Sequence, residues 1–181
     1  MNIKPLVVVA MLASTPAFAA DSGFFVAGSA GRVHAKTATT PGFSANDSYS
    51  AWALGGGYRF NQYMGLEASY RDFGSLKVDG PGGAWSRGDL TGWTYGGLVA
   101  YPVTDTIELV ARAGWNRWQS DWKNSGGGSG TNRGTEPYYG IGAAWAFDKR
   151  MATVLNWTRF NSADSNTNDA DMIEVGLQYR F

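Results

Sequence analysis

The chain has 181 residues, 15 of them basic and 15 acidic, and no cysteine. Balanced charge gives it no electrostatic reason to bind nucleic acid, and the lack of thiols excludes a disulfide framework or a thiolate metal centre. Glycine (25 residues) and aromatics (8 Trp, 9 Tyr, 9 Phe) are abundant instead, a composition that suits a transmembrane β-barrel.

Residues 1–19 read as a secretory signal peptide. Lys4 supplies the positive start, Pro5–Ala13 the apolar stretch and Ala17-Phe18-Ala19 the small residues of a cleavage point. Residues 20–181 are expected to form one barrel domain. No stretch in them approaches the roughly 20 apolar residues of a spanning helix.

Eight segments then alternate with a period of two, the mark of strands with one apolar face. In the first, Phe24, Val26, Gly28 and Ala30 point one way; in the second, Trp52, Leu54, Gly56, Tyr58 and Phe60. The third row is Met64, Leu66, Ala68 and Tyr70, and the fourth Trp93, Tyr95, Gly97, Val99 and Tyr101. Ile107, Leu109, Ala111, Ala113 and Trp115 make the fifth, and Tyr139, Ile141, Ala143, Trp145 and Phe147 the sixth. Thr153, Leu155 and Trp157 form the seventh row; Ile173, Val175, Leu177, Tyr179 and Phe181 close the chain. None of these positions is charged. The intervening ones carry Arg59, Glu67, Arg71, Glu108, Arg112, Glu174 and Arg180. Charges on the face with the glycines fit a narrow polar interior with lipid outside, whereas a soluble sandwich would bury its apolar rows. The fold class is therefore all-β, an eight-stranded antiparallel up-and-down transmembrane barrel.

Two features set its orientation. Aromatics fall at the two strand ends, with Phe24, Tyr58, Tyr101, Trp145, Tyr179 and others below and Trp52, Tyr70, Trp93, Trp115, Tyr139 and Trp157 above, as interfacial belts do. Short turns at Asn61-Gln62, Pro102–Thr106 and Asp148-Lys149 alternate with long segments near 34–48, 74–89, 121–136 and 161–171. Both termini are expected in the periplasm and the long loops outside. Asn124–Gly134 reads as a flexible glycine-serine run.

The closing row resembles the terminal strand read by outer-membrane assembly machinery. Gly56-Gly57-Tyr58-Arg59-Phe60-Asn61 running into Gly65-Leu66-Glu67, Ala100-Tyr101-Pro102-Val103-Thr104-Asp105, Arg112-Ala113-Gly114 and Tyr179-Arg180-Phe181 resemble the transmembrane domain of the outer-membrane protein A (OmpA-like) family. The resemblance covers essentially all of residues 20–181 and implies an eight-stranded barrel in a Gram-negative outer membrane. Larger members continue into a periplasmic peptidoglycan-gripping domain; the chain given stops at Phe181, so that activity is not carried over. In the family a charged cluster blocks the lumen. Glu67 and Arg112 match it, whereas Leu98, Ala144 and Val154 stand where further charged members are expected. Glu67 and Arg112 are expected to meet as a structural tie without partners to exchange with.

No pattern points to a catalytic, cofactor or metal site. His34 has Ser44 and Ser48 nearby in sequence but no spacing that marks a nucleophile. Asp164–Asp169 lacks the glycine and the closing glutamate of a calcium loop, and Gly55–Gly57 lies in a strand, without the helix of a phosphate cradle. The leading expectation is a monomeric structural and surface-interaction barrel that contributes to envelope integrity. Its partners would be outer-membrane lipid, lipopolysaccharide and an extracellular ligand or host surface. The alternatives are a narrow passive pore for small solutes and a lipid-modifying enzyme.

Overall fold

The computed structural model describes residues 22–35, 44–45, 48–79, 83–161 and 169–181. The expected signal peptide and nearly all of the calcium-like segment 164–169 lie outside the described residues.

Among the described residues nine strands follow one another: β1 Gly23–Ala35, β2 Ser44–Ala45, β3 Ser48–Arg59, β4 Met64–Asp79, β5 Trp85–Pro102, β6 Ile107–Asn124, β7 Ser129–Ala146, β8 Met151–Phe160 and β9 Ala170–Arg180. Every pairing is antiparallel, in the order β4-β3-β1-β9-β8-β7-β6-β5, and β4 also pairs with β5. The sheet thus closes as an eight-stranded barrel, with each backbone ladder satisfied by a neighbour. The chain's last strand pairs with its first from Phe25↔Arg180 to Ala35↔Ala170, so neither is left as an open edge. The two-residue β2 adds only to the far end of β4.

The exposed face is the uncharged one. Phe24, Leu54, Leu66, Val99, Leu109, Ile141, Leu155, Val175 and Leu177 are all exposed, while Arg59, Arg71, Asn116, Asn156 and Glu174 are buried. A soluble protein would be insoluble with so continuous an apolar surface; in a bilayer it is the solvated one. Ring contacts trace both belts: Phe24–Tyr58, Trp145–Phe147 and Tyr179–Phe181 at one end, Trp52–Tyr70, Tyr70–Trp93, Tyr95–Trp115 and Tyr139–Trp157 at the other. The short turns are locked by side-chain acceptors. Asn61 Oδ1 receives the amides of Tyr63 and Met64 at 2.8 and 2.9 Å, and Thr104 Oγ1 that of Ile107 at 3.0 Å.

The opposite rim differs from the sequence-based expectation. Strands β5, β6 and β7 each run for 18 residues, against 10 for β8 and 11 for β9. They therefore rise past the barrel as a paired ribbon, by roughly 20 Å after allowing for tilt. The expected flexible run Asn124–Gly134 shrinks to the turn Ser125–Gly128, because Ser129–Gly134 pairs with Trp118–Lys123. The cause is cross-strand cover. Trp122 faces Gly130 and Trp118 faces Gly134, and each indole lies so close that a Cβ on the glycine would fall 2.7–2.9 Å from the ring. An aromatic laid over glycine supplies the packing that glycine lacks. Gly127, at φ 83°, makes the reversal. On β4 a bulge between Asp72 and Gly74 adds Phe73 to the interior.

Candidate functional site

The lumen is the chemical centre of the molecule, and it is filled in layers. Nearest the short turns, Glu108 receives two guanidinium groups. Arg59 donates from Nη2 to Oε1 at 2.8 Å, and Arg180 reaches the same oxygen. This trio walls a vestibule of about 620 Å³ that also meets Asn61, Thr106 and Lys149. Above it lies an apolar layer of Phe25, Leu98, Ala100 and Val110, continued by Ala144, Ala152 and Val154. Of the uncharged departures from the family cluster, Leu98 lies in the first of these groups, and Ala144 and Val154, paired across β7 and β8, in the second.

The next layer is ionic. Arg112 Nε lies 3.6 Å from Glu67 Oε1, with the two side chains 12% and 17% exposed. This is an ion contact without a hydrogen bond at Nε; the hydrogen bond to Glu67 comes from Tyr138 Oη at 3.3 Å. Glu67 has room because its neighbours across both strand pairs are glycines, Gly57 on β3 and Gly96 on β5. Beside this pair, Arg71 grips Glu174 with Nη1–Oε2 at 3.0 Å and Nη2–Oε1 at 3.3 Å, the side chains being 5% and 1% exposed. Ser29 Oγ donates to Glu174 at 2.9 Å. All four charged groups line one small cavity of about 50 Å³, room for a few water molecules.

This second pair corrects the expectation that Glu67 and Arg112 have no partners to exchange with. Arg71 and Glu174 both stand in the inward rows of the sequence, but the strands that carry them, β4 and β9, are far apart in the chain. Only the closure of the barrel puts them level.

An aromatic cap shuts the far end. Phe73, Tyr138, Phe160, Val33, Ala51 and Met172 form one buried cluster. Phe73 and Phe160 meet edge to face at 5.2 Å, and the Arg71 guanidinium lies 5.9 Å from the Phe160 ring. Cap and ionic layer are therefore one packed unit.

The remaining candidates are at the ribbon rim or in the sheet. His34 is paired in register with Ser48 on β3 and with Asp171 on β9, while Ser44 pairs with Asp79 on β4. The Asp171 carboxylate is held by Arg159 through bonds of 2.8 and 2.7 Å. Further up, hydrogen bonds from Thr131 and Gln119 hold the Asp121 carboxyl below the usual range. Gly55 and Gly57 sit where an added Cβ would strike the β4 backbone, so they permit close strand packing and cradle nothing. The terminal row Ile173, Val175, Leu177 and Phe181 is exposed, with Tyr179 half-buried. Among the described residues no group of His, Cys, Asp and Glu has the geometry to hold a metal.

Comparison with known proteins agrees with this architecture. The family described as "Outer membrane protein beta-barrel domain" matches residues 6–181. Outer membrane protein A of Klebsiella aerogenes is 33% identical over 135 residues, covering 70% of this chain and 37% of the relative. Its counterpart in Klebsiella pneumoniae is 30% identical over 152 residues, covering 77% and 43%. The chain thus spans less than half the length of these relatives. In three dimensions it is similar to Neisserial surface protein A (TM-score 0.61, 14% identity, 88% of this chain and 97% of that one). The N-terminal β-barrel domain of Pseudomonas aeruginosa OprF gives 0.60 at 14% identity, covering 88% and 98%. The Yersinia pestis attachment invasion locus protein Ail, solved with the heparin analogue sucrose octasulfate, gives 0.57 at 14%, covering 88% and 97%.

Proposed function

The chain belongs to the outer membrane protein β-barrel domain family, as a small OmpA-like barrel of the Gram-negative outer membrane, and on that premise we propose that it is a plugged structural barrel that displays a surface ribbon. The observation that carries this reading is the filled lumen. An apolar layer, two ion pairs and an aromatic cap succeed one another between the rims, which suits a tie across the barrel and opposes a water column.

In this reading the Glu67–Arg112 pair is part of the plug and holds β4 to β6. The termini and short turns face the periplasm, and residues 1–19 direct export. The row Ile173, Val175, Leu177, Tyr179 and Phe181 presents the strand that assembly machinery reads. The β5–β7 ribbon stands outside the cell, where it contacts surfaces or extracellular ligands; the polyanion bound to Ail gives one ligand class to try. Catalysis has no place in it.

Planar-bilayer recording tests the plug. The native protein should give little or no conductance. A large, steady conductance would replace this reading with the passive pore.

A further inference from the structure

The outward face of β6 and β7 above the aromatic belt carries a charge pattern that the barrel does not need for folding. Trp115 belongs to the belt and is exposed. One alternation above it on the same face is Arg117, then Gln119, Asp121 and Lys123; on β7 the matching face carries Arg133. Arg117, Lys123 and Arg133 are exposed, and Asp121 is the one carboxylate among them, so this face is net positive. The contrast is with β8 and β9, where Arg159 is neutralised by Asp171.

The arrangement is also oriented. Gln119 Nε2 donates to Asp121 Oδ2 at 3.0 Å, and Gln119 Oε1 accepts from Arg133 Nε at 2.9 Å. Arg133 is thus exposed and tethered through its Nε, and no hydrogen bond from its two terminal nitrogens to another described residue competes with a phosphate. Arg117 stands opposite Thr135, so Arg133 is its diagonal cross-strand neighbour, close enough for two long side chains to converge. Arg117 makes no ion pair or hydrogen bond with another described residue.

Height selects the ligand. Two residues of a tilted strand raise Arg117 by roughly 5 Å above Trp115, and four raise the Gln119–Arg133 step by roughly 10 Å. That is the headgroup region beyond the hydrocarbon core. We propose that Arg117 and Arg133, aligned by Gln119 and seated above Trp115, form a lateral docking site for the phosphate of an outer-leaflet glycolipid, the lipid A portion of lipopolysaccharide. The argument is charge complementarity at a defined depth, and it rests on the outward orientation of the ribbon.

The full chain, folded into phosphatidylcholine nanodiscs containing either bisphosphorylated or phosphate-free lipid A, tests it by native mass spectrometry of bound lipid. Wild type should retain the bisphosphorylated form and not the phosphate-free one. The double variant R117Q/R133Q should weaken retention by about tenfold or more, whereas K149Q, which removes an exposed cation at the opposite rim, should not. Equal retention of both lipids by wild type would overturn the site, and that arm needs no variant to fold. So would undiminished retention by a heat-modifiable, folded R117Q/R133Q protein, or binding of soluble heparin in preference to lipid A. Orientation is read separately: protease added to intact cells should cut at Ser125–Gly128. Protection there would overturn the outward ribbon, and with it this site, whatever the nanodiscs retain.

Discussion

Arg71 and Glu174 are the most enclosed ions in the lumen, and their energetics differ from those of Glu67 and Arg112. The first pair has two hydrogen bonds, a serine donor and an aromatic ring for company. The second has one ion contact at 3.6 Å and a tyrosine. Breaking a buried pair from one side strands a charge, whereas replacing both members removes the desolvation as well. Arg71→Met should therefore destabilise by about 3–5 kcal/mol, more than Arg112→Met, and adding Glu174→Met should recover much of the loss. Denaturant titrations of detergent-folded protein measure all of these; a double variant no better than Arg71→Met would count against the pair as described. The sequence shows that these side chains point inward, since parity along each strand decides that. It does not show who meets whom, because strand tilt and shear set the relative heights, and no short-range pattern encodes them.

A ribbon strand survives above the barrel because its glycines are covered. Trp118 Nε1 makes no hydrogen bond, so its contribution is packing, with Gly134 directly beneath the ring. Trp118→Ala should loosen β6 and β7 above Trp115 by about 1–2 kcal/mol of local stability, and Trp118→Phe by less. Hydrogen exchange should localise the change to the ribbon and leave the barrel amides protected. Local composition makes Ser129–Gly134 read as a linker, while the strand depends on Trp122 and Trp118, which lie eight and sixteen residues from the glycines they cover. Asp121 adds a pH response to the same element. Its carboxyl is held below the usual range by Thr131 and Gln119, so its contribution is complete above the unfolded value and is lost as pH falls through the folded one. Tryptophan fluorescence from the ribbon should therefore shift below about pH 4, and Asp121→Asn should abolish the shift while barrel circular dichroism stays constant. The lipid-facing rows, by contrast, were readable throughout, because the period-two pattern is local. Leu109→Arg or Leu177→Arg should cost about 2–4 kcal/mol if near the midplane, and Trp115→Arg less, in folding titrations.

At the scale of the whole molecule, closure and filling lead to one physical behaviour. Each barrel strand has a partner on both sides, so opening the sheet anywhere exposes two rows of amides and carbonyls to hydrocarbon, at several kcal/mol for each unpaired group. Within the closed part of the barrel the described strands leave no edge from which they can peel off one at a time. The cap adds to this, since Phe73 from β4 meets Phe160 from β8 across the lumen; separating the two halves must break aromatic contacts and the Arg71–Glu174 bridge together. Unfolding should therefore be slow and all-or-none, with the barrel surviving detergent that denatures a soluble β-domain. Unboiled protein should run on a detergent gel apart from the boiled chain. Phe73→Ala should lower the temperature at which the two forms convert, because it unpacks the cap without opening the ladder. Arg71→Met should lower it further. Deletion of Ser125–Gly128 with a two-residue Asn-Gly closure should leave it unchanged, because the ribbon turn takes no part in closure. Identical migration of boiled and unboiled native protein, with recovery in the soluble periplasmic fraction, would show that the exposed apolar rows are not in contact with lipid and that the barrel has been assigned to the wrong solvent.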